Sequence, residues 1–156
     1  MMGMPEPSEH HRKLHYLAGT WIGEEHLSPS EWGPGGIAIG RYIGRVDVDG
    51  FFVIQDYVEE KDGRVVYRGH GVFGWDEQKK TYTWYWVDSL GMAPSAPSRG
   101  RWEGNTLVFE HDTTAPQRGR YTYRFNDEDS YLFTIENTQD GGQTWQQFLE
   151  AEYHRQ

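Results

Sequence analysis

The sequence predicts an all-β fold: an up-and-down antiparallel β-barrel of about ten strands with one short N-terminal helix. Three observations carry that prediction. Short segments of alternating polarity follow one another from residue 21 to the end, turn residues punctuate them, and a single brief helical pattern precedes them. A meander of that length closes on itself because closure removes its unpaired edges.

The elements are justified in order. Residues 1–9 carry Pro5 and Pro7 without periodicity and read as a flexible arm, which leaves 10–156 as one barrel domain. Ser8 is placed to cap a helix with apolar positions Leu14 and Leu17, and Gly19 stops it. Strands are expected over 21–27, 37–48, 51–60, 64–75 and 81–89, then 99–103, 106–111, 118–125, 131–137 and 145–155. Asp49-Gly50, Asp62-Gly63 and Gly104-Asn105 are the hairpin signals between them. The stretches 28–36 and 90–98 hold Pro29, Pro34, Pro94 and Pro97 and are loops. The second is either a plain surface loop or a lid with Met92 as its apolar contact.

Composition narrows the function. A chain of 156 residues suits one domain, and the absence of Cys excludes disulfides, thiolate metal sites and a Cys nucleophile. A formal net charge of −9 repels phosphate backbones, so no nucleic acid partner is expected. Residues 1–8 have no apolar stretch and no later run reaches the ~18 residues of a membrane span, so a cytoplasmic protein without a signal peptide or membrane partner is expected. His11 and His15 stand four apart on the helix but lack a third ligand; solvated histidines, and no metal or cofactor, are the expectation. Aromatic residues make up 15% of the chain, with Trp 7 and Tyr 10, which calls for a large core or a ligand cavity. Monomer and homodimer are both left open.

Gly19-Thr20-Trp21 after a short helix resembles the opening of the calycin superfamily, the lipocalins and fatty-acid-binding proteins. That resemblance implies a structural plug in which a basic residue of the last strand, here Arg155, covers Trp21. Further blocks resemble a bacterial family of lipocalin-like domains of unknown function: Asp49-Gly50-Phe51-Phe52, Arg68-Gly69-His70-Gly71-Val72-Phe73-Gly74-Trp75-Asp76 and Tyr85-Trp86-Val87-Asp88-Ser89. Trp102-Glu103-Gly104 and Gln139-Asp140-Gly141-Gly142 extend it. The opening is also similar to nitrobindin-type haem barrels, whose last strand carries a His-Leu pair with the His on iron. Here the pair is Phe148-Leu149, and Phe cannot ligate iron. The 138–145 stretch resembles an Asp-box, read here as Asp140 capping its own turn over Trp145 rather than as sialidase chemistry.

Hairpin arithmetic then orients the wall. A two-residue turn at Asp62-Gly63 pairs Asp56 with Gly69, Ile54 with Gly71 and Phe52 with Phe73. Across the next turn Trp75 meets Tyr82, Phe73 meets Trp84, Gly71 meets Trp86 and Gly69 meets Asp88. The face bearing Phe52, Ile54, Phe73, Trp75, Trp84 and Trp86 is the more apolar and is expected inside. Asp56 and Asp88 would then flank Gly69, roughly 9–10 Å apart. A one-residue slip would instead bring in Gln55, Tyr57, Arg68, His70 and Tyr85.

The expected function is binding of a small, largely apolar or aromatic molecule in the barrel, without catalysis. Phe52, Phe73, Trp84 and Trp86 would hold it and Asp56 and Asp88 orient it, a pair better suited to a cationic or hydroxylated ligand than to a fatty acid. The alternatives are an acid–base decarboxylase or isomerase using buried Asp and Tyr, and a nitrobindin-like haem barrel. Against any such role, Asp56 and Asp88 would simply pair with Arg41, Arg45 or Arg101 near a barrel mouth.

Overall fold

In a computed structural model, described for residues 3–31, 33–94, 96–111 and 115–156, the chain forms a closed antiparallel barrel of ten strands. Each strand pairs with its sequence neighbours, and the first pairs with the last. The strands are β1 (Gly19–Leu27), β2 (Gly36–Asp47), β3 (Phe52–Lys61), β4 (Arg64–Asp76) and β5 (Thr81–Asp88). They continue with β6 (Ser98–Glu103), β7 (Thr106–His111), β8 (Arg118–Asp127), β9 (Ser130–Thr138) and β10 (Gln146–Arg155). Trp32 and Ser95, in the two expected loops, and Met1 and Met2, in the expected arm, lie outside the described residues. Met92 is 73% exposed and makes no apolar closure over the mouth. Among the described residues no helix is long and apolar enough to cross a membrane.

Helix α1 (Glu9–Lys13) passes into a 3-10 turn, Leu14–Leu17, and together they close one end of the barrel. Ser8 and His11 form a reciprocal cap at its start. Leu14 and Leu17 are buried, and the Trp21 indole donates to the Leu17 carbonyl at 3.2 Å. The Arg155 guanidinium lies 4.3 Å above the Trp21 ring and also donates to the Ala18 carbonyl. The turns after β1, β3, β5, β7 and β9 are at the opposite end, the mouth. There Asp140 accepts from Thr144 Oγ1 at 2.6 Å, while the Arg120 guanidinium sits 4.0 Å over Trp145.

One register expectation is corrected. Asp62 and Gly63 both take positive φ, 53° and 75°, and Lys61 faces Arg64, so the two-residue turn forms as read. Farther along, Glu60 faces Val65 but Glu59 faces Tyr67. Val66 is the extra residue of a β-bulge, and it shifts every later pair by one. Asp56 therefore faces His70, Gln55 faces Gly71 and Val53 faces Phe73. The β4–β5 register is the expected one, with Gly69 opposite Asp88 and Phe73 opposite Trp84.

Candidate functional site: the mouth half of the barrel

The bulge decides which side chains line the interior. Asp56 lies on the outer wall, 2.7 Å from His70 Nδ1 and 3.7 Å from Arg45. Phe52 is also outside, 36% exposed, and packs on Gly74. Neither belongs to an interior site. Phe73, Trp84, Trp86 and Asp88 do face inward, and Val53, Gln55, Tyr57 and Glu59 join them from β3. The first two strands add Glu25 and Tyr42, and β10 adds Tyr153.

The helix half is packed with rings. Trp21 is 4.7 Å from Tyr131, and Tyr123 is 4.7 Å from Phe133 and 6.2 Å from Phe73. The mouth half mixes rings with carboxyl groups. Tyr67 donates to Asp88 Oδ2 at 2.6 Å, and the Trp86 indole reaches the Tyr67 hydroxyl at 2.9 Å and Asp88 at 3.1 Å. Gly69 permits this: a Cβ there would run into the Trp86 ring. Tyr57 stands 5.7 Å from Tyr67 and 6.0 Å from Trp86, joining this cluster to a second one below it.

Glu25 is the centre of that second cluster, with a relative exposure of 0%. The Tyr57 hydroxyl lies 2.8 and 2.6 Å from its two oxygens and 2.9 Å from Glu59 Oε2, and Tyr153 donates to it as well. Gly40 leaves the room, since a Cβ there would meet both the Glu25 carboxyl and the Tyr153 hydroxyl. A phenol has one proton to give, so Tyr57 cannot serve both carboxylates. A proton on Glu25 resolves the conflict. Burial, and next the hydrogen bond with Glu59, push its pKa up to about 8. Burial likewise raises the Tyr57 and Tyr153 phenols, so both stay donors.

Some buried polar atoms have no partner. Both amide atoms of Gln55, a residue with 0% exposure, lack a hydrogen bond, as do Trp84 Nε1 and the Tyr123 and Tyr131 hydroxyls. Each such group costs about 1–3 kcal/mol if it stays unsatisfied. By contrast, a depression of about 530 Å³ on the outer wall, beside Ile22, His26, Ile39 and His154, holds none of these groups.

Sequence reasoning missed Glu25, Gln55, Tyr57 and Tyr153. Glu25 was within reach: if Trp21 points inward, strand alternation brings in Gly23 and Glu25. Gln55 and Tyr57 were hidden by the bulge at Val66, which no turn signal announces.

Fold and interior together define a closed ten-stranded barrel with carboxyl, phenol and amide groups buried among aromatic rings. The chain belongs to the family described as Protein of unknown function (DUF1579), whose model matches residues 6–155. Among solved structures it is similar to Rv2717c from M. tuberculosis, at 16% identity over 97% of this chain and 99% of that one, with a TM-score of 0.69. It is also similar to the S-type phycobiliprotein lyase CPES from Guillardia theta, at 10% identity over 93% and 91% of the two chains, with a TM-score of 0.59. At such identities the likeness is one of fold. No curated protein matches the chain.

Proposed function

We propose that this calycin-like barrel binds a small, largely apolar or aromatic molecule in the mouth half of its interior. Phe73, Trp84 and Trp86 would hold it, with Asp88, Glu25 and Gln55 fixing its orientation. The observation that carries the reading is Gln55: a fully buried amide with neither atom bonded, facing inward from an aromatic wall. A ligand with a polar group offsets that cost. The reading places the protein in the cytoplasm and gives it neither a nucleic acid nor a membrane partner, in keeping with its net charge of −9.

Native mass spectrometry of protein purified from its own host tests the proposal. The expected result is a population heavier by one small molecule, which denaturation releases. Gln55→Leu, which removes the unpaired amide, should reduce that population. Native and denatured masses that agree throughout would count against a resident ligand.

A second reading rests on Glu25. A carboxylic acid neutral near pH 7, beside two phenols, has the attributes of a general acid, as a decarboxylase or isomerase would require. Glu25→Gln separates the two: a binder weakens modestly, whereas an enzyme loses turnover by about 100-fold or more. A haem barrel is disfavoured: on β10 the buried positions are Leu149, Ala151 and Tyr153, and His154 is exposed on the outer wall.

A further inference from the structure

We propose that the mouth half of the barrel takes an organic cation: an aromatic molecule carrying a protonated or quaternary amine and, elsewhere, an oxygen that accepts hydrogen bonds. The inference rests on the binding reading above and names the ligand class for that site.

Three carboxyl groups from three strands meet the same rings. Glu25 of β1 and Glu59 of β3 share the Tyr57 hydroxyl, and Asp88 of β5 is held by Tyr67 and Trp86. The rings of Tyr57, Tyr67 and Trp86 lie between the two acidic clusters, with 5.7 and 6.0 Å between centroids. Aromatic faces and carboxylates attract a cation together, and each works better away from water.

Internal counter-charge is scarce. Among the described residues, strand alternation gives Arg155, Lys61 and its partner Arg64 as the arginines and lysine on the inward face, with Arg64 exposed at the tip of the β3–β4 hairpin. Arg155 is at the helix end over Trp21, and Lys61 at the rim donates to the Gly35 carbonyl at 2.7 Å. His111, at the mouth end of β7, shares the face of Phe109. No arginine or lysine among these residues pairs with Glu25, Glu59 or Asp88.

The second requirement comes from the unpartnered groups. Gln55 is the inward neighbour of Tyr57 on β3, and its Oε1 is a free acceptor suited to an ammonium. Gln55 Nε2 and Trp84 Nε1 are free donors, and a cation cannot satisfy them. They call for a carbonyl, hydroxyl or ether oxygen on the same molecule. A fatty acid would instead set its carboxylate against those of Glu59 and Asp88.

Three probes of one ring system test the proposal by isothermal titration calorimetry: (1-naphthylmethyl)trimethylammonium, 1-naphthalenemethanol and 1-naphthoate. The cation should bind at least about tenfold more tightly than the alcohol, and the carboxylate more weakly than either. Glu59→Gln and Asp88→Asn, each checked for a native near-UV circular dichroism spectrum, should each cut the cation-to-alcohol ratio by about tenfold. Equal affinity for the three probes, or preference for naphthoate, overturns the cation proposal and leaves the barrel a binder. Binding of none overturns both.

Discussion

At the scale of single residues, the decisive one is Glu25. Its raised pKa makes a definite statement about stability. An unfolded glutamate titrates near 4.5, and in the barrel burial and Glu59 hold Glu25 protonated up to about 8. Tyr57 and Glu59 face it from β3, Tyr153 from β10 and Tyr42 from β2, and no basic side chain among them opposes the shift. The stability linked to this proton is fully present below pH 4.5 and is lost as pH rises through about 8. The loss runs at no more than about 1.4 kcal/mol per pH unit. Glu25→Gln keeps the shape and removes the titration, so its stability relative to wild type should rise steadily between pH 5 and 8. Urea unfolding at four pH values checks this, and a difference independent of pH would show that Glu25 is already ionised in the fold. Part of this was within reach although it was missed: with Trp21 inward, the period of two brings in Glu25. Asp56 was misread for a reason equally local, because Phe52 and Ile54 beside it look like lining while Gln55 and Tyr57 look like surface.

At the scale of elements, the β3–β4 hairpin shows what a sequence announces and what it withholds. Asp62-Gly63 declares its turn through the positive φ that Asp tolerates and Gly prefers. The bulge at Val66 has no such marker, because a valine adopts bulged and regular strand geometry without a change of residue type. Turn chemistry therefore revealed the hairpin but not its phase beyond the first two pairs. The β4–β5 hairpin has no bulge among its pairs, and there Gly69, Phe73, Trp84, Trp86 and Asp88 were placed correctly. Gly69 is the element's point of close approach, where the Trp86 ring lies against the β4 backbone. Gly69→Ala should therefore cost about 1–3 kcal/mol through overpacking. It should also pull the indole from Tyr67 and Asp88, which a red shift of tryptophan emission would report. A variant as stable as wild type, with unchanged emission, would mean that Trp86 has another place to lie.

At the scale of the molecule, ten short segments ending in turn signals were enough to foresee a closed barrel, since a meander of that length has no other way to pair its edges. What such a barrel lacks is a floor, and here the chain builds one from its two ends. Arg155, the last residue of β10, stacks on Trp21, the inward aromatic that opens β1, and donates to Asp129 at 3.1 Å and to the Glu128 carbonyl at 2.9 Å. It joins the helix, the closing strand pair and the β8–β9 turn. Arg155→Ala should cost about 2–3 kcal/mol, from the lost cation–π contact and charged hydrogen bonds. Because Trp21 and Arg155 sit at the seam of the barrel, the loss should lower the midpoint of the whole unfolding transition instead of fraying the helix alone. Arg155→Lys should recover less than half, since an ammonium cannot stack flat on the indole and reach three oxygens at once. Arg101, exposed and paired with Glu103, is the control, and Arg101→Ala should stay within about 0.5 kcal/mol of wild type. Urea transitions of the three variants by far-UV and near-UV circular dichroism would decide it. An Arg155→Ala protein that unfolds at the wild-type midpoint would show that β1 and β10 close the barrel without this floor.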